Sequence, residues 1–258
     1  MLKDLRKDLR LSAHRDQWAE EELGLDLDPW QKDLLQSRSD RVLLNCSRQS
    51  GKSTMAAVIA LHRALHYRSS LVLCLAPALR QSQELFGKIA CFYRDLGRPV
   101  APRSEQRLSL ELENKSRIIT LPGTEKTIRG FSGVSLLIVD EAARVDDTLY
   151  YAVRPMLAVS GGGLMMSSTP FGRRGVFYDE WTGGQGWKRY EIPAYKCPRI
   201  SEAFLEEERR AIGEWWFAQE YMCSFEDTPD QLFSHETIEG MISDDIEPLR
   251  LRPPGLGR

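Results

Sequence analysis

The amino-acid sequence predicts an α/β protein with a mainly parallel central sheet flanked by helices. Five short runs are apolar and rich in β-forming residues, and stretches of helical composition separate most of them. Two of the runs, Leu71–Leu75 and Leu136–Val139, are apolar without interruption. Strands that are apolar on both faces are typical of a parallel sheet covered by helices. These observations together predict the fold class.

The predicted elements alternate along the chain. Residues 1–26 are interpreted as an amphipathic helical segment because their leucines recur at near-helical spacing. The predicted strands are Arg41–Asn45, Ser70–Ala76, Arg117–Leu121, Ser135–Val139 and Gly163–Ser167, and the predicted helices are 29–38, Lys52–Tyr67, Leu79–Leu96 and 201–222. Residues 106–121 alternate around Glu113-Asn114-Lys115, which predicts a β-hairpin added antiparallel to the sheet.

Composition limits the broad class. The 258 residues suffice for one large α/β domain with or without a small appendage, and 42% hydrophobic with 28% charged residues is typical of a soluble globular protein. The net charge of −2 gives no overall nucleic-acid footprint, so any contact with DNA needs a local basic patch. No run approaches the ~20 apolar residues of a membrane span. The five cysteines lack CxxC spacing and are interpreted as reduced, mostly buried thiols without a zinc site.

A loop suited to phosphate follows the first predicted strand. Ser50-Gly51-Lys52-Ser53-Thr54 lies between that strand and the next predicted helix, which is the context of a phosphate-binding loop. Glycine permits the tight turn, and backbone N–H groups at the helix N-terminus can hold phosphate oxygens. In such a loop Lys52 reaches the β- and γ-phosphates and Ser53 binds Mg²⁺.

The loop alone is a weak signal, and an acidic strand end strengthens it. Cys46 stands where the usual pattern has a glycine, and Arg48-Gln49 place two large polar residues inside the loop. The apolar run before Asp140-Glu141 supplies the second motif. Asp140 would hold Mg²⁺ through its water shell, and Glu141 would orient and polarise the attacking water. Without the loop, the two carboxylates would equally suit a helix cap. Their adjacency favours hydrolysis over kinase chemistry.

Taken in order, these motifs resemble those of the ATPase domain of the large terminase subunit of tailed bacteriophages, the motor that packages DNA into procapsids. The resemblance rests on four segments and covers roughly residues 27–226: Leu27-Asp28-Pro29-Trp30-Gln31, Ser47–Thr54, Val139–Ala143 and Ser167-Ser168-Thr169-Pro170. In that family the Arg-Gln pair is usual and the first glycine is often absent. Cys46 is therefore compatible with the family's loop.

The resemblance implies a set of site residues. The ATP-binding residues would be Gln31, Arg48, Gln49, Ser50, Gly51, Lys52, Ser53 and Thr54; the catalytic residues Lys52, Glu141 and Arg129; the coupling residues Ser167, Ser168 and Thr169; and the metal-binding residues Ser53 and Asp140. The amide of Gln31 can donate and accept hydrogen bonds, as the edge of adenine requires. Arg48 could pair with a phosphate or with Glu141.

The resemblance also implies an arginine supplied to the neighbouring subunit. Arg129 lies in a glycine-containing loop before the acidic strand, where the family's ring motors carry such a finger. Fingers of this kind raise hydrolysis by about 10³–10⁵ in other nucleotide hydrolases. Arg144, just past Glu141, is the competing candidate.

Further expectations concern the whole protein. The resemblance implies ATP as substrate and Mg²⁺ as cofactor, with double-stranded DNA, a homo-oligomeric ring (a pentamer on the capsid portal), the portal and the small terminase subunit as partners. It places the protein in the host cell cytoplasm, away from membranes. The family's C-terminal nuclease has no counterpart in these residues, so we expect ATPase activity without DNA cleavage.

The expected domains are an ATPase core with its N-terminal helical segment over 1–195, a helical lid subdomain over 196–240, and a linker or tail over 241–258.

The sequence also leaves two other functions open. A two-lobed helicase shares analogues of Gln31, the phosphate loop and the acidic strand, but it needs a second lobe that the remaining chain is too short to form. A nucleotide-dependent switch without turnover would not need Glu141.

Overall fold

The computed structural model describes residues 2–123 and 130–227, together with Thr237, Gly240 and Met241. The chain divides into a compact unit that ends at Glu226 and a second unit that begins at Asp227. The fold and the candidate site below belong to the first unit. The predicted tail over 241–258 lies outside the described residues except for Met241.

Eight strands of the described residues form one sheet. Their bounds are β1 Arg41–Cys46, β2 Leu71–Ala76, β3 Pro102–Glu105, β4 Ser109–Leu112, β5 Arg117–Pro122, β6 Leu136–Asp140, β7 Gly163–Ser168 and β8 Lys188–Ile192. The order across the sheet is β3-β4-β5-β2-β6-β7-β1-β8. The strands from β5 to β8 in that order pair in parallel, and β3 and β4 are added antiparallel. The predicted fold class is confirmed.

Helices connect the strands and cover the sheet. Their bounds are α1 Leu2–Ala13, α2 Arg15–Glu21, α3 Pro29–Gln36, α4 Lys52–His66, α5 Leu79–Asp95, α6 Asp147–Val153, α7 Gly175–Thr182 and α8 Glu202–Tyr221, with short 3-10 turns at Ala142–Arg144, Arg154–Leu157 and Ala194–Lys196. The N-terminal segment forms two helices instead of one, because His14 leaves helical geometry with φ −119° and ψ 88°.

The continuous apolar runs are explained by burial on both faces. The adjacent residues Leu43 and Leu44 of β1 are both fully buried, yet they join different hydrophobic clusters. Side chains of a strand alternate between faces, so each face of the sheet has its own core. Val58 of α4 lies in one cluster and Phe177 of α7 in the other.

The antiparallel addition is confirmed and is larger than predicted. Strand β4 pairs with β5 in the register Ser109 to Ile119, which forms the predicted hairpin. Strand β3 extends the hairpin outward, and β8 closes the opposite edge beside β1. Both additional strands were missed because they are short or charged edge strands. Lys188 and Glu191 of β8, for example, carry charges that a buried strand would exclude.

The last helix is interrupted. Ser201 caps α8, since its Oγ accepts a hydrogen bond from Phe204 N, as the sequence predicts. Gly213 within it has φ 80° and ψ 163°, a conformation that breaks the helical path and that glycine tolerates. Phe217 and Tyr221 beyond the break form a small third hydrophobic cluster with Leu205 and Ala194. The predicted lid subdomain stays a prediction. Within the part of the chain that the structure describes, no helix combines the length and apolarity needed to cross a membrane.

Candidate active site

The sheet topology brings the three predicted motifs to one edge. Strand β7 lies between β6 and β1, so the residues at the carboxyl ends of these strands are neighbours. Asp140 is paired in register with Ser167, and Asn45 with Ser168. Ligand sites of open parallel sheets lie at this edge. The phosphate loop, the acidic pair and the coupling residues therefore share one location.

The loop after β1 has the backbone that an anion site requires. Gln49 has φ 60° and Gly51 has φ 95°, and α4 begins directly afterwards at Lys52. A Cβ on Gly51 would lie only 2.9 Å from Gln31 Nε2. The positive φ of Gly51 favours glycine at this position, and any larger residue would also have to displace the amide of Gln31. The buried thiol of Cys46 precedes the loop, and burial raises its pKa to about 12.

Lys52 and the acidic pair are in direct contact. Lys52 Nζ lies 3.0 Å from Glu141 Oε1, and the lysine is only 8% exposed. Glu141 has φ 52°, in the left-handed region that non-glycine residues seldom adopt. Such strain persists only where surrounding contacts enforce it, and it is enriched at functional sites.

Asp140 is held by two hydroxyl groups. Its Oδ2 accepts a hydrogen bond from Ser53 Oγ at 2.8 Å, and its Oδ1 accepts one from Ser167 Oγ at 2.8 Å. Burial, with Glu141 adding to it, raises the pKa of this carboxyl, while Lys52 and the two hydroxyls oppose the shift. A hydroxyl and a carboxylate are the hard oxygen donors that Mg²⁺ prefers. The pair Ser53 and Asp140 therefore fits the predicted metal site.

Arg144 connects this centre to the last helix. Its Nη1 donates to Thr169 Oγ1 at 2.9 Å and to Glu141 Oε2 at 3.3 Å, and its Nη2 lies 3.3 Å from Glu220 Oε1. Glu220 also accepts a hydrogen bond from Arg48 Nε of the phosphate loop. One carboxylate of α8 thus holds two arginines of the site. Sequence reasoning missed Glu220, because no local pattern relates it to residues 76 and 172 positions away.

The predicted coupling residues are buried at the end of β7. Ser167, Ser168 and Thr169 are each at most 1% exposed. Ser168 Oγ accepts a hydrogen bond from Ala143 N at 3.2 Å, next to Arg144. Each of these three residues is therefore hydrogen-bonded to the segment Asp140–Arg144 at the end of β6.

A second contact missed by sequence reasoning involves Arg199. Its guanidinium makes two 2.7 Å hydrogen bonds to the carboxylate of Asp28 and one of 3.1 Å to the carbonyl oxygen of Ser50. It links the segment of Gln31 to the phosphate loop. Gln31 itself accepts a hydrogen bond from Asp28 N through Oε1 at 2.9 Å, so its NH₂ group is the part that lies nearest the loop.

Two adjoining cavities surround these residues. The larger has a volume of about 590 Å³ and is lined by the phosphate loop, Asp140, Glu141, Arg144 and Arg199. The smaller, of about 190 Å³, is lined by Gln31, Leu27, Gly51 and Arg199 among others. Gly51, Thr54 and Arg199 line both. Arg48 and Gln49 line the larger cavity, whereas Arg129 lies outside the described residues.

Comparison with known proteins identifies the family. The family described as "Terminase large subunit, T4likevirus-type, N-terminal" matches residues 43–239, which is well over half of the chain. The chain belongs to this family. The resemblance to large terminases drawn from the four sequence segments is thereby confirmed. The matched residues include the acidic pair, the coupling residues and Glu220.

Curated relatives and solved structures agree with the family. The large terminase subunits of Thermus phage G20c and Thermus virus P23-45 are each 28% identical, over 77% of this chain and 48% of the relative. The chain spans about half the length of these relatives. The Thermus phage P74-26 large terminase ATPase domain superposes with a TM-score of 0.72 at 23% identity, over 80% of this chain and 97% of that one. The HK97 bacteriophage large terminase gives 0.62 at 18% identity, over 85% and 50%. These structures share the fold.

Proposed function

We propose that this chain is the ATPase of a viral DNA-packaging motor, which hydrolyses ATP in a ring of subunits and couples it to translocation of double-stranded DNA into a procapsid. The observation that carries the proposal is the contact between Lys52 of the phosphate loop and Glu141 of the acidic pair inside one cavity. The family membership supports the same function. The large terminase of a thermophilic bacteriophage, similar in fold, has been solved with ADP and with ATP-gamma-S.

ATP would occupy the two adjoining cavities. The triphosphate would lie in the larger one, where α4 points its N-terminal N–H groups and Lys52 supplies the positive charge. The base would enter the smaller one, beside the amide of Gln31. Ser53 and Asp140 would hold Mg²⁺, whose chemistry is to neutralise charge on the β- and γ-phosphate oxygens.

Glu141 would act on the attacking water. Its carboxylate is engaged by Lys52 on one oxygen and by Arg144 on the other. A phosphate that takes over Lys52 would release one oxygen of Glu141, which would then be available to accept a hydrogen bond from water. Binding of ATP would thus move Lys52 from Glu141 to the phosphate, and the same step would free Glu141 to polarise water.

Arg144 would transmit the state of the site within its own subunit. It contacts the water-polarising Glu141, the coupling residue Thr169 and Glu220 of α8 at the same time. Its side chain is 23% exposed, which leaves little of it to reach a neighbouring subunit. We therefore assign Arg144 a positioning role in cis, and Arg129 remains our candidate for the arginine supplied in trans.

The remaining partners follow from the family. A ring on the capsid portal, contact with double-stranded DNA and association with the small terminase subunit are properties that we propose for the whole protein. The chain covers about half of the length of its curated relatives.

The test combines Glu141→Gln with Arg129→Ala. We expect Glu141→Gln to lower kcat by about 10²–10⁴-fold, the usual contribution of a positioned base, while ATP still binds. Glu113→Gln, in the exposed hairpin turn, is the matched control and should retain wild-type turnover. Steady-state hydrolysis and nucleotide binding by calorimetry give the two readouts.

Mixing the two variants tests the ring. If Arg129 acts in trans, mixed rings regain part of the turnover that each variant lacks alone, because some sites combine an intact Glu141 with an intact neighbouring Arg129. Full activity of Arg129→Ala would overturn the assignment of the finger. Full activity of Glu141→Gln would overturn the proposed mechanism itself.

A further inference from the structure

A second substantial cavity lies at the opposite edge of the sheet. It has a volume of about 400 Å³ and is bounded by the residues at the amino ends of β1, β6 and β7, among them Asp40, Ser135 and Gly163. The C-terminal turn of α4, the start of α2 and the ends of α1 and α3 form the rest of its wall. The volume falls within the range of small-molecule sites. The proposed ATP site does not use any of these residues.

Two arginines of this cavity have carbonyl oxygens as their only hydrogen-bond partners among the described residues. Arg15 Nη2 donates to the carbonyl oxygen of Ser37, and Arg63 Nη2 donates weakly to that of Ser135 at 3.4 Å. Arg63 Nε is buried and has no hydrogen-bond partner among the described residues. Among the described residues, no carboxylate lies within ion-pair distance of the guanidinium of Arg15 or of Arg63. Both are only partly accessible to solvent.

Arg15 and Arg63 are two neighbouring positive charges without an ion-paired counter-charge among the described residues. Burial lowers the pKa of Arg15, and the charge of Arg63 adds to the lowering, while Tyr67, Tyr190 and the carboxylate of Asp16 oppose it. The guanidinium carbon of Arg63 lies 4.5 Å from the centre of the Tyr67 ring, a cation–π contact that fixes its position. Two neighbouring, partly buried cations raise the free energy of the folded state unless a counter-charge is supplied. Asp40 also lines the cavity, yet within the described part of the chain its carboxylate pairs with neither arginine.

We propose that this cavity binds a small phosphate-bearing anion, held between Arg15 and Arg63. Guanidinium groups present planar forks of N–H donors that match phosphate oxygens. A phosphate dianion would supply the charge that both arginines lack. Arg38 also lines the cavity and adds a third cation to it.

This site is separate from the phosphate loop. Lys52 starts α4 and Arg63 lies in its last turn, so about 16 Å of helix separates the two along its axis. A binding experiment must therefore silence the phosphate loop first. Lys52→Ala serves as the background for every variant below.

The experiment titrates inorganic phosphate and pyrophosphate into Lys52→Ala by calorimetry and follows the arginine Nε–H signals by NMR. We expect one binding event, with a shift of the Arg63 Nε–H signal. Arg15→Gln and Arg63→Gln should each weaken binding tenfold or more. Arg68→Gln, an exposed arginine just past the helix, is the matched control for loss of one charge and should leave binding unchanged. Asp40→Asn should strengthen binding, because it removes the negative charge from the cavity.

Opposite results would overturn the proposal. Absence of binding in Lys52→Ala, or equal weakening by Arg68→Gln and Arg63→Gln, would show that no such site exists. Arg63→Lys retains the charge and guards against a folding defect, since it should bind better than Arg63→Gln. If duplex DNA, but neither phosphate probe, shifted the Arg63 signal, the small-anion assignment would be wrong. All of these outcomes are independent of ATP turnover.

Discussion

The two edges of the sheet differ in how their arginines are neutralised. At the carboxyl edge, Arg48 and Arg144 share the carboxylate of Glu220, and Arg144 also contacts Glu141. At the amino edge, the hydrogen bonds of Arg15 and Arg63 within the described residues go to carbonyl oxygens, and neither arginine has a carboxylate partner there. Both edges are built on the same strands and joined by the same helix, α4, so the difference lies in the side chains alone.

At the carboxyl edge, a bound anion would replace carboxylates as the partner of the cations. At the amino edge, a bound anion would be the first partner of opposite charge for Arg15 and Arg63. At the carboxyl edge, Lys52, Arg48 and Arg144 each already have a carboxylate partner, and an incoming phosphate competes with it. Breaking a buried pair by removing one member leaves an uncompensated charge, which is costly. At the amino edge, no described carboxylate is ion-paired with Arg15 or Arg63, although Asp16 acts on the charge of Arg15 from further away. Mutations should therefore disturb the two edges in different ways.

The largest effect is expected from removing the central pair at the carboxyl edge. Lys52→Ala takes away the donor proposed for the β- and γ-phosphates and leaves Glu141 with Arg144 as its remaining partner. We expect kcat/KM for ATP to fall by about 10²–10³-fold or more, the usual cost of losing one preorganised donor. Steady-state ATP hydrolysis measures it. Lys115→Ala in the hairpin turn is the control, and comparable loss there would contradict a specific role for Lys52.

A smaller effect is expected from the arginine that joins the acidic pair to α8. Arg144→Lys keeps the charge but cannot hold Glu141, Thr169 and Glu220 together. We expect kcat to fall by about 10–10²-fold, as for weakened positioning of a catalytic group, with little change in KM. Glu220→Gln should lower kcat less, and the double variant should cost less than the sum of the two.

Controls for Arg144 address its action in cis. Arg154→Ala removes an exposed arginine that contacts Glu180 and should leave kcat unchanged. Mixing Arg144→Lys with Glu141→Gln should give no recovery beyond dilution, in contrast to the Arg129→Ala mixture. Recovery of turnover in that mixture would reverse the assignment of the two arginines.

Much of the carboxyl edge could be predicted because its motifs are local in sequence. Strand β1 with its loop, and β6 with Asp140-Glu141, carry hydrophobic runs next to polar residues of defined spacing. The parallel arrangement then places their carboxyl ends together. The roles of these residues stay predictions, although their proximity is a feature of the fold.

What could not be predicted depends on tertiary contact. Glu220 meets Arg48 across 172 positions, and Arg199 meets Asp28 across 171. Neither pair has a periodic signal, because each depends on how α8 and its preceding turn return to β1. The break in α8 at Gly213 also could not be predicted, since an isolated glycine in a helical pattern is often tolerated. The amino-edge cavity was missed for the same reason, as Arg15 and Arg63 look like ordinary exposed-face residues of two helices.

The smallest predicted effect concerns His62, which lines the amino-edge cavity beside the two arginines. Burial, His66, Arg15 and Arg63 lower its pKa to about 3, against the opposing hydrogen bond with the Leu11 carbonyl. The unfolded chain, with an ordinary histidine pKa near 6.5, binds one more proton between these two values. The free energy of unfolding should therefore be unaffected by this group above about pH 6.5 and should fall by up to about 1.4 kcal/mol per pH unit below it.

His62→Gln tests this sign, because glutamine keeps a donor for Leu11 and does not titrate. Urea unfolding of both proteins at pH 7, 6 and 5 should show wild type losing stability faster than the variant as the pH falls. His14→Gln, at an exposed histidine, should follow wild type. Saturating phosphate should reduce the loss of wild-type stability at low pH. An anion between Arg15 and Arg63 would offset the positive charge around His62 and so raise its pKa toward the ordinary value. If wild type and His62→Gln lost stability in parallel, His62 would not be the base that burial and the neighbouring arginines keep neutral.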